Sequence, residues 1–298
     1  LGDVYKRQGR VDWLLPLGIS FYTLQAGGYL IDIYRGKYAA DRHFLKFALF
    51  ASWFPQLVQG PISRYDALAA QLYEGHAFDW RRMKSGALRM LWGYFKKLVI
   101  ADRLALVVEP LFTDFAGQGY AGAYIWAAAV LYTFQIYADF SGGMDIVLGM
   151  SEIFGIRMTE NFRRPILAGS VAEFWQRWHI SLGSFFRDYL LYVPFFGKPR
   201  KYFGLFLVWF CTGLWHGAAW NFILWGLYYG CFMLFEQKMG KKRMKKWPIV
   251  WKHVYTKLVI ILGFGIFYFE DLGQLGQFFL NITGISMIAN GAPFTDPM

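Results

Sequence analysis

Five histidines occur in this chain, and two of them sit where a proton acceptor could do chemistry. His216 lies in FCTGLWHGAAWNFILWG, inside an apolar run over residues 202–235 with Lys/Arg clusters at both ends. With both clusters on one side of a membrane, the run is too short for two full crossings, which need about 40 residues. The chain should therefore turn part-way in, near 213–217. An ionisable group at that depth is a functional-site candidate by default. The alternatives for His216 are a structural histidine bonded to a helix carbonyl, or a haem ligand. His179 lies in VAEFWQRWHISLGSFFRDYLLYV. There Val171, Phe174, Trp178, Leu182, Phe185 and Tyr189 keep helical spacing, while Glu173, Arg177, Ser181, Ser184 and Asp188 face away. Helical spacing places His179 at the border of the apolar stripe, where it could touch both water and the core. The alternative is an interfacial histidine with no special role.

Asp139 and Asp145 flank a Ser-Gly-Gly in YADFSGGMDIVLG, at the end of an apolar run. Carboxylates near a membrane pair with a cation or mark a substrate path. Otherwise they cap a helix starting near Gly142. Arg82, Arg89, Lys96 and Arg103 recur every seven residues, one stripe of a helix, with Leu88, Leu91, Trp92, Phe95, Leu98 and Val99 on the opposing face. That pattern predicts an amphipathic helix at the membrane interface or facing a polar funnel. A sharper reading makes Arg89, Lys96 and the adjacent Lys97 a dock for an anionic acyl donor.

The elements that must hold these residues are those of a membrane protein. Of the 298 residues, 56% are hydrophobic, 21% aromatic and only 17% charged, with a mean hydropathy of +0.28. Such a composition excludes a disordered chain, and two cysteines exclude a disulfide scaffold; Cys211 and Cys231 fall in apolar runs and read as buried free thiols. The net charge of +11 collects in clusters between the apolar runs, most densely in 238–246, which has six Lys/Arg. Cytoplasmic loops obeying the positive-inside rule explain this excess, so no nucleic-acid partner is inferred. Runs at 13–31 and 120–138 read as single spans and 254–269 as a marginal one. The run at 44–62 carries Pro55 and Gly60-Pro61 and reads as broken or re-entrant. Residues 1–12 are expected to be a non-native end, and 13–298 a partial transmembrane domain lacking segments at both ends.

No P-loop, GxGxxG, HExxH, CxxC pair or GxSxG is present, so nucleotide-driven, zinc-protease and lipase-type chemistries are set aside and no metal site is expected.

Together the motifs resemble the membrane-bound O-acyltransferase (MBOAT) superfamily, in the bacterial branch that acetylates alginate and other exported polysaccharides. The resemblance is carried by SFYTLQAGGYLIDIYRGK, FPQLVQGPISRY, GYFKKLVIADRLA, YADFSGGMDIVLG, ENFRRPI, EFWQRWHISLGSFFRDYL and GLWHGAAWNFILWG, in the family's order over most of 20–230. The Gly142-Gly143 pair departs from the commoner Gly-Tyr. The resemblance implies an all-α polytopic bundle with re-entrant segments and an enclosed tunnel, in the bacterial inner membrane. It implies acyl transfer, with His216 as the near-invariant catalytic histidine and general base, and His179 as the branch's second important histidine. Arg177, Trp178, Trp215 and Asn221 would lie beside them as tunnel residues, and Asp139 and Asp145 nearby. No bound cofactor is implied; the donor would be acetyl-CoA or a carrier-protein thioester. The implied partners are the lipid bilayer, a polysaccharide acceptor and an SGNH-type acetyltransferase. A D-alanyl transferase of teichoic acid is close kin, and a membrane transporter or channel is the competing class.

Overall fold

A computed structural model describes residues 18–57, 59–113, 122–195 and 198–283. The described residues are mainly helical. The only strands among them form one antiparallel pair, β1 (Pro194–Phe195) with β2 (Lys198–Pro199). Residues 1–17, including the expected non-native end, and residues 284–298 lie outside the described residues.

The first part of the bundle is α1 (Ile19–Tyr34), the short α2 (Phe44–Ala51), a 3-10 turn at Phe54–Gln56 and α3 (Tyr65–Glu74). The expected break in 44–62 falls after Ala51, where Pro55 opens the 3-10 turn. Next come α4 (Trp80–Tyr94), a π-helical segment (Phe95–Ala101) and α5 (Asp102–Thr113). Asp79 caps α4 by accepting the N–H groups of Arg81 and Arg82.

The central element is α6 (Gly122–Ile153), 32 residues and about 48 Å long. It packs lengthwise on α4 through a glycine seam. A Cβ on Gly93 would lie 2.6 Å from the Gly142 carbonyl oxygen, and one on Gly86 2.4 Å from that of Gly149. Bare glycines at heptad spacing on both helices let the backbones touch. No helix starts near Gly142, so of the two readings of Asp139 and Asp145 helix capping does not occur and pairing with a cation does. Both lie on α6 and pair with cations of the neighbouring helix.

The second half comprises α7 (Val171–Arg177), α8 (Ile180–Leu190), α9 (Lys201–His216), α10 (Trp220–Met239), the short α11 (Lys241–Lys245), α12 (Ile249–Tyr268) and α13 (Leu272–Ile282). The chain turns between α9 and α10 at 217–219, just beyond His216 and at the far edge of the expected 213–217. Gly213 and Gly226 bring these two helices into contact: a Cβ on Gly226 would meet the Trp209 carbonyl oxygen at 2.4 Å. An aromatic core of Phe112, Trp178, Trp209, Trp225, Tyr229, Phe264 and Phe278 joins α5, α6, α7, α9, α10, α12 and α13. Cys211 is half-buried and Cys231, expected in the interior, is exposed on α10.

By length and composition alone, α12 is the one helix among the described residues able to cross a membrane. It starts at Ile249, five residues before the apolar run seen in the sequence, and its 20 residues span about 30 Å. The apolar side chains expected to oppose the basic stripe, Leu88, Leu91, Trp92, Phe95, Leu98 and Val99, are all exposed. Arg89 and Lys96 of the stripe reach α6 and the apolar face points outward, an arrangement suited to lipid.

Candidate functional site

His179 does not lie within a continuous helix. Helical spacing carries across it, but the chain breaks there into α7 and α8, and His179 takes φ 46° and ψ 51°. That left-handed conformation is uncommon for a residue with a Cβ and needs support from its surroundings. The support comes from residues 160–164. Phe162 pairs with Trp178 in an antiparallel bridge, Arg163 N donates to the Arg177 carbonyl at 2.9 Å, and Ile180 N donates to the Asn161 carbonyl at 3.1 Å. Asn161 Oδ1 accepts Ser181 N–H at 2.8 Å. Ser181, assigned to the outward face by periodicity, is buried and its Oγ accepts Ile62 N–H at 3.0 Å.

The approach to the break is held from α10. Glu236, 5% exposed, accepts the N–H groups of Val171 and Ala172 at 2.7 and 2.9 Å, while Ser170 accepts that of Glu173. These acceptors satisfy the free donors at the start of α7.

His216 occupies the last turn of α9. Its ring stands edge-on to Trp225 at 5.1 Å, to Phe267 at 5.2 Å and to its neighbour Trp215 at 5.0 Å between centroids. Trp215 also meets His179, at 5.9 Å. Both histidines line one cavity of about 490 Å3, within the usual range for small-molecule sites. Its other walls are mostly apolar and include Phe140, Trp175, Trp178, Trp209, Trp225, Phe264 and Phe267. Two histidines 37 residues apart in sequence thus line one largely aromatic chamber, one supplied by a strained turn and the other by a helix end.

The remaining expected residues divide. Trp178 lines the chamber; Arg177 does not, and its guanidinium pairs with Glu173 one turn back. Trp215 lies against both histidines with its indole N–H buried and unpaired. Asn221, fully buried, donates to the Phe267 carbonyl at 3.0 Å and so ties the start of α10 to the end of α12.

On the other side of Asn161 is a second, polar cleft of about 440 Å3. Its lining includes Lys96, Ser141, Asp145, Glu160, Asn161, Arg163 and Arg164. Here the basic stripe meets α6. Lys96 Nζ lies 2.5 Å from Asp145 Oδ2 and 3.0 Å from Ser141 Oγ. Arg89 bonds Asp145 at 3.0 Å and grips both oxygens of Glu160 at 2.8 and 2.7 Å. Lys97 reaches Asp139 at 2.5 Å and Asp102 at 3.2 Å. The π-helical turn carries Lys96 and Lys97, and both consecutive lysines reach α6 from it. Most of the stripe's charge is therefore matched within the protein, whereas the exposed Arg163 and Arg164 make no ion pair among the described residues.

Asn161, Trp175, Trp225 and Glu236 were not picked out as site residues from sequence. The one available signal was Asn161 itself, a polar residue just before Phe-Arg-Arg-Pro, where proline ends regular structure.

Residues 39–273 match the family described as MBOAT, membrane-bound O-acyltransferase family. The probable alginate O-acetylase AlgI of Pseudomonas syringae pv. tomato is 39% identical over 271 residues, covering 89% of this chain and 51% of that protein. The peptidoglycan O-acetyltransferase of Helicobacter pylori is 36% identical over 73% of this chain and 46% of its own length. The teichoic acid D-alanyltransferase of Bacillus subtilis is 26% identical over 84% of this chain and 68% of its own. The chain spans about half the length of the alginate and peptidoglycan relatives it matches. On the family match and on identities well above 30%, the chain belongs to the membrane-bound O-acyltransferase family.

Proposed function

We propose that the full-length protein moves an acetyl group from a cytoplasmic thioester, acetyl-CoA or an acyl carrier protein, toward hydroxyls of an exported cell-surface polysaccharide. The observation that carries this reading is that His179 and His216 line one largely apolar chamber. A hydroxyl is a weak nucleophile at neutral pH, and a positioned base that takes its proton contributes typically about 10²–10⁴-fold. His216 takes that proton as the oxygen attacks the thioester carbonyl carbon. The new C–O bond forms, the C–S bond breaks, and the proton passes to the leaving thiolate. Apolar walls keep water from competing as the acceptor.

The polar cleft is the donor's side in this reading. Its mouth carries Arg163 and Arg164, whose guanidinium groups suit the phosphates of CoA or of a phosphopantetheine arm. Of the basic stripe, Lys96 lines this cleft, whereas Arg89 and Lys97 serve chiefly to pair α6. In this reading the full-length protein is a multi-pass chain of the bacterial inner membrane, with basic clusters cytoplasmic and an SGNH-type acetyltransferase receiving the group outside. Similarity to a teichoic acid D-alanyltransferase makes D-alanyl transfer the second reading.

The test is supply of labelled acetyl-CoA, acetyl-carrier protein or D-alanyl-carrier protein to inverted membranes holding the full-length protein and its export partners. Label on polysaccharide from either acetyl donor supports the proposal. Label from the D-alanyl donor alone selects the second reading.

A further inference from the structure

The two ring nitrogens of His179 have different surroundings. Nδ1 lies 3.3 Å from Asn161 Nδ2. A histidine Nδ1 can donate or accept, so the orientation of the partner amide decides which it does. That orientation is fixed by the rest of the amide's contacts. Its Oδ1 accepts the backbone N–H of Ser181 at 2.8 Å, and its Nδ2 also lies 3.4 Å from the thioether sulfur of Met144. Turning the amide over would set an NH2 against the Ser181 N–H, two donors face to face, and a carbonyl oxygen against sulfur. In the observed orientation one N–H meets the histidine and the other meets a weak acceptor. Nδ1 is therefore the acceptor, and the proton of a neutral His179 sits on Nε2.

The same contacts hold the ring in place. Asn161 is fully buried, His179 is 4% exposed, and the left-handed turn at His179 is pinned by Ile180 N–H on the Asn161 carbonyl. A proton on Nδ1 would point at an amide N–H, so the arrangement disfavours both the other neutral form and the imidazolium.

We propose that Asn161 is a positioning residue that holds His179 in the neutral Nε2–H form, so that His179 offers the chamber a hydrogen-bond donor and leaves the role of base to His216. Resting on the acyl-transfer reading, this makes Nε2–H the group that binds the thioester carbonyl oxygen as negative charge develops there. A donor placed for that charge is worth on the order of 10²–10³-fold in kcat. It also bears on whether His179 could carry the acyl group itself. The Nδ1 lone pair is engaged by Asn161 and Nε2 carries the proton, so neither nitrogen is free to attack the carbonyl, and no acyl-histidine forms on His179.

The test reads the tautomer directly. Full-length protein carrying 15N-labelled histidine in nanodiscs is examined by long-range 1H–15N correlation, in which Nε2 couples to both ring carbon protons and Nδ1 chiefly to one. His179→Gln identifies the signals. A protonated Nε2 and bare Nδ1 at neutral pH are expected; a proton on Nδ1 overturns the proposal whatever the enzyme's substrate proves to be. Asn161→Asp keeps the acceptor for Ser181 but sets a carboxylate oxygen against Nδ1. It should move the proton to Nδ1 and lower kcat by on the order of 10²-fold, with KM little changed. An unmoved proton, or an unchanged kcat with the proton moved, overturns the positioning role.

Discussion

The carboxylate of Glu236, on α10, accepts the backbone N–H of Val171 at 2.7 Å, at the start of the short helix that ends in the His179 turn. The helix after the His216 turn thus holds the element that delivers His179. Glu236→Ala should leave the buried Val171 N–H and the half-buried Ala172 N–H unpaired, at a cost of roughly 1–3 kcal/mol for the buried one and less for the other. Glu236→Gln keeps one acceptor and should lose less. Thermal unfolding in detergent checks the order: wild type above Gln above Ala. Equal midpoints for all three would show that the contact does not hold α7.

A second expectation concerns the glycine seam. A methyl group on Gly93 would meet the Gly142 carbonyl oxygen at 2.6 Å and force α4 off α6. Gly93→Ala should lower the amount of folded protein sharply. Gly27→Ala, on α1, has nothing within 4 Å of the new methyl and should be neutral or slightly stabilising. Fluorescence-detected size exclusion of both variants gives the comparison.

The seam also explains what could and could not be read from sequence. The hairpin around His216 was legible because a long aromatic run meets Gly217 between two basic clusters. The uninterrupted course of α6 was not legible, since Asp139, Ser141 and the glycine pair look like a helix start until Gly142 is seen against Gly93. Nor was the break at His179. The apolar spacing of Val171, Phe174, Trp178 and Leu182 continues straight through it, and the turn is imposed by Asn161 and Phe162, residues distant in sequence. The basic stripe was visible, but its direction was not, because in a membrane the charged face of a helix turns inward and the apolar face outward.

That inversion separates two effects of charge removal. Arg89→Gln strips Asp145 and Glu160 of a shared partner that is largely shielded from solvent, and should lower stability while leaving the donor requirement unchanged. Arg163→Gln with Arg164→Gln should raise the donor concentration for half-maximal rate several-fold with a smaller effect on maximal rate, as expected for binding far from the reacting bond. Donor titration against initial rate distinguishes them. A donor shift with Arg89→Gln and none with the arginine pair would return the dock to the stripe.

Orientation has its own check. The 238–246 cluster, next to α12, is expected on the cytoplasmic side. A cysteine replacing Lys245 in a cysteine-free background should resist an impermeant maleimide in intact cells and react after permeabilisation. Labelling in intact cells would invert the assigned topology.

The central claim is that His216 is the base of an acyl transfer. Polysaccharide acetylation is measured in cells carrying full-length protein with His216→Ala, alongside the amount of that protein in the membrane. The account predicts normal insertion and amount, with acetylation lost by at least about 10²-fold. Acetylation at the wild-type level from His216→Ala would contradict it.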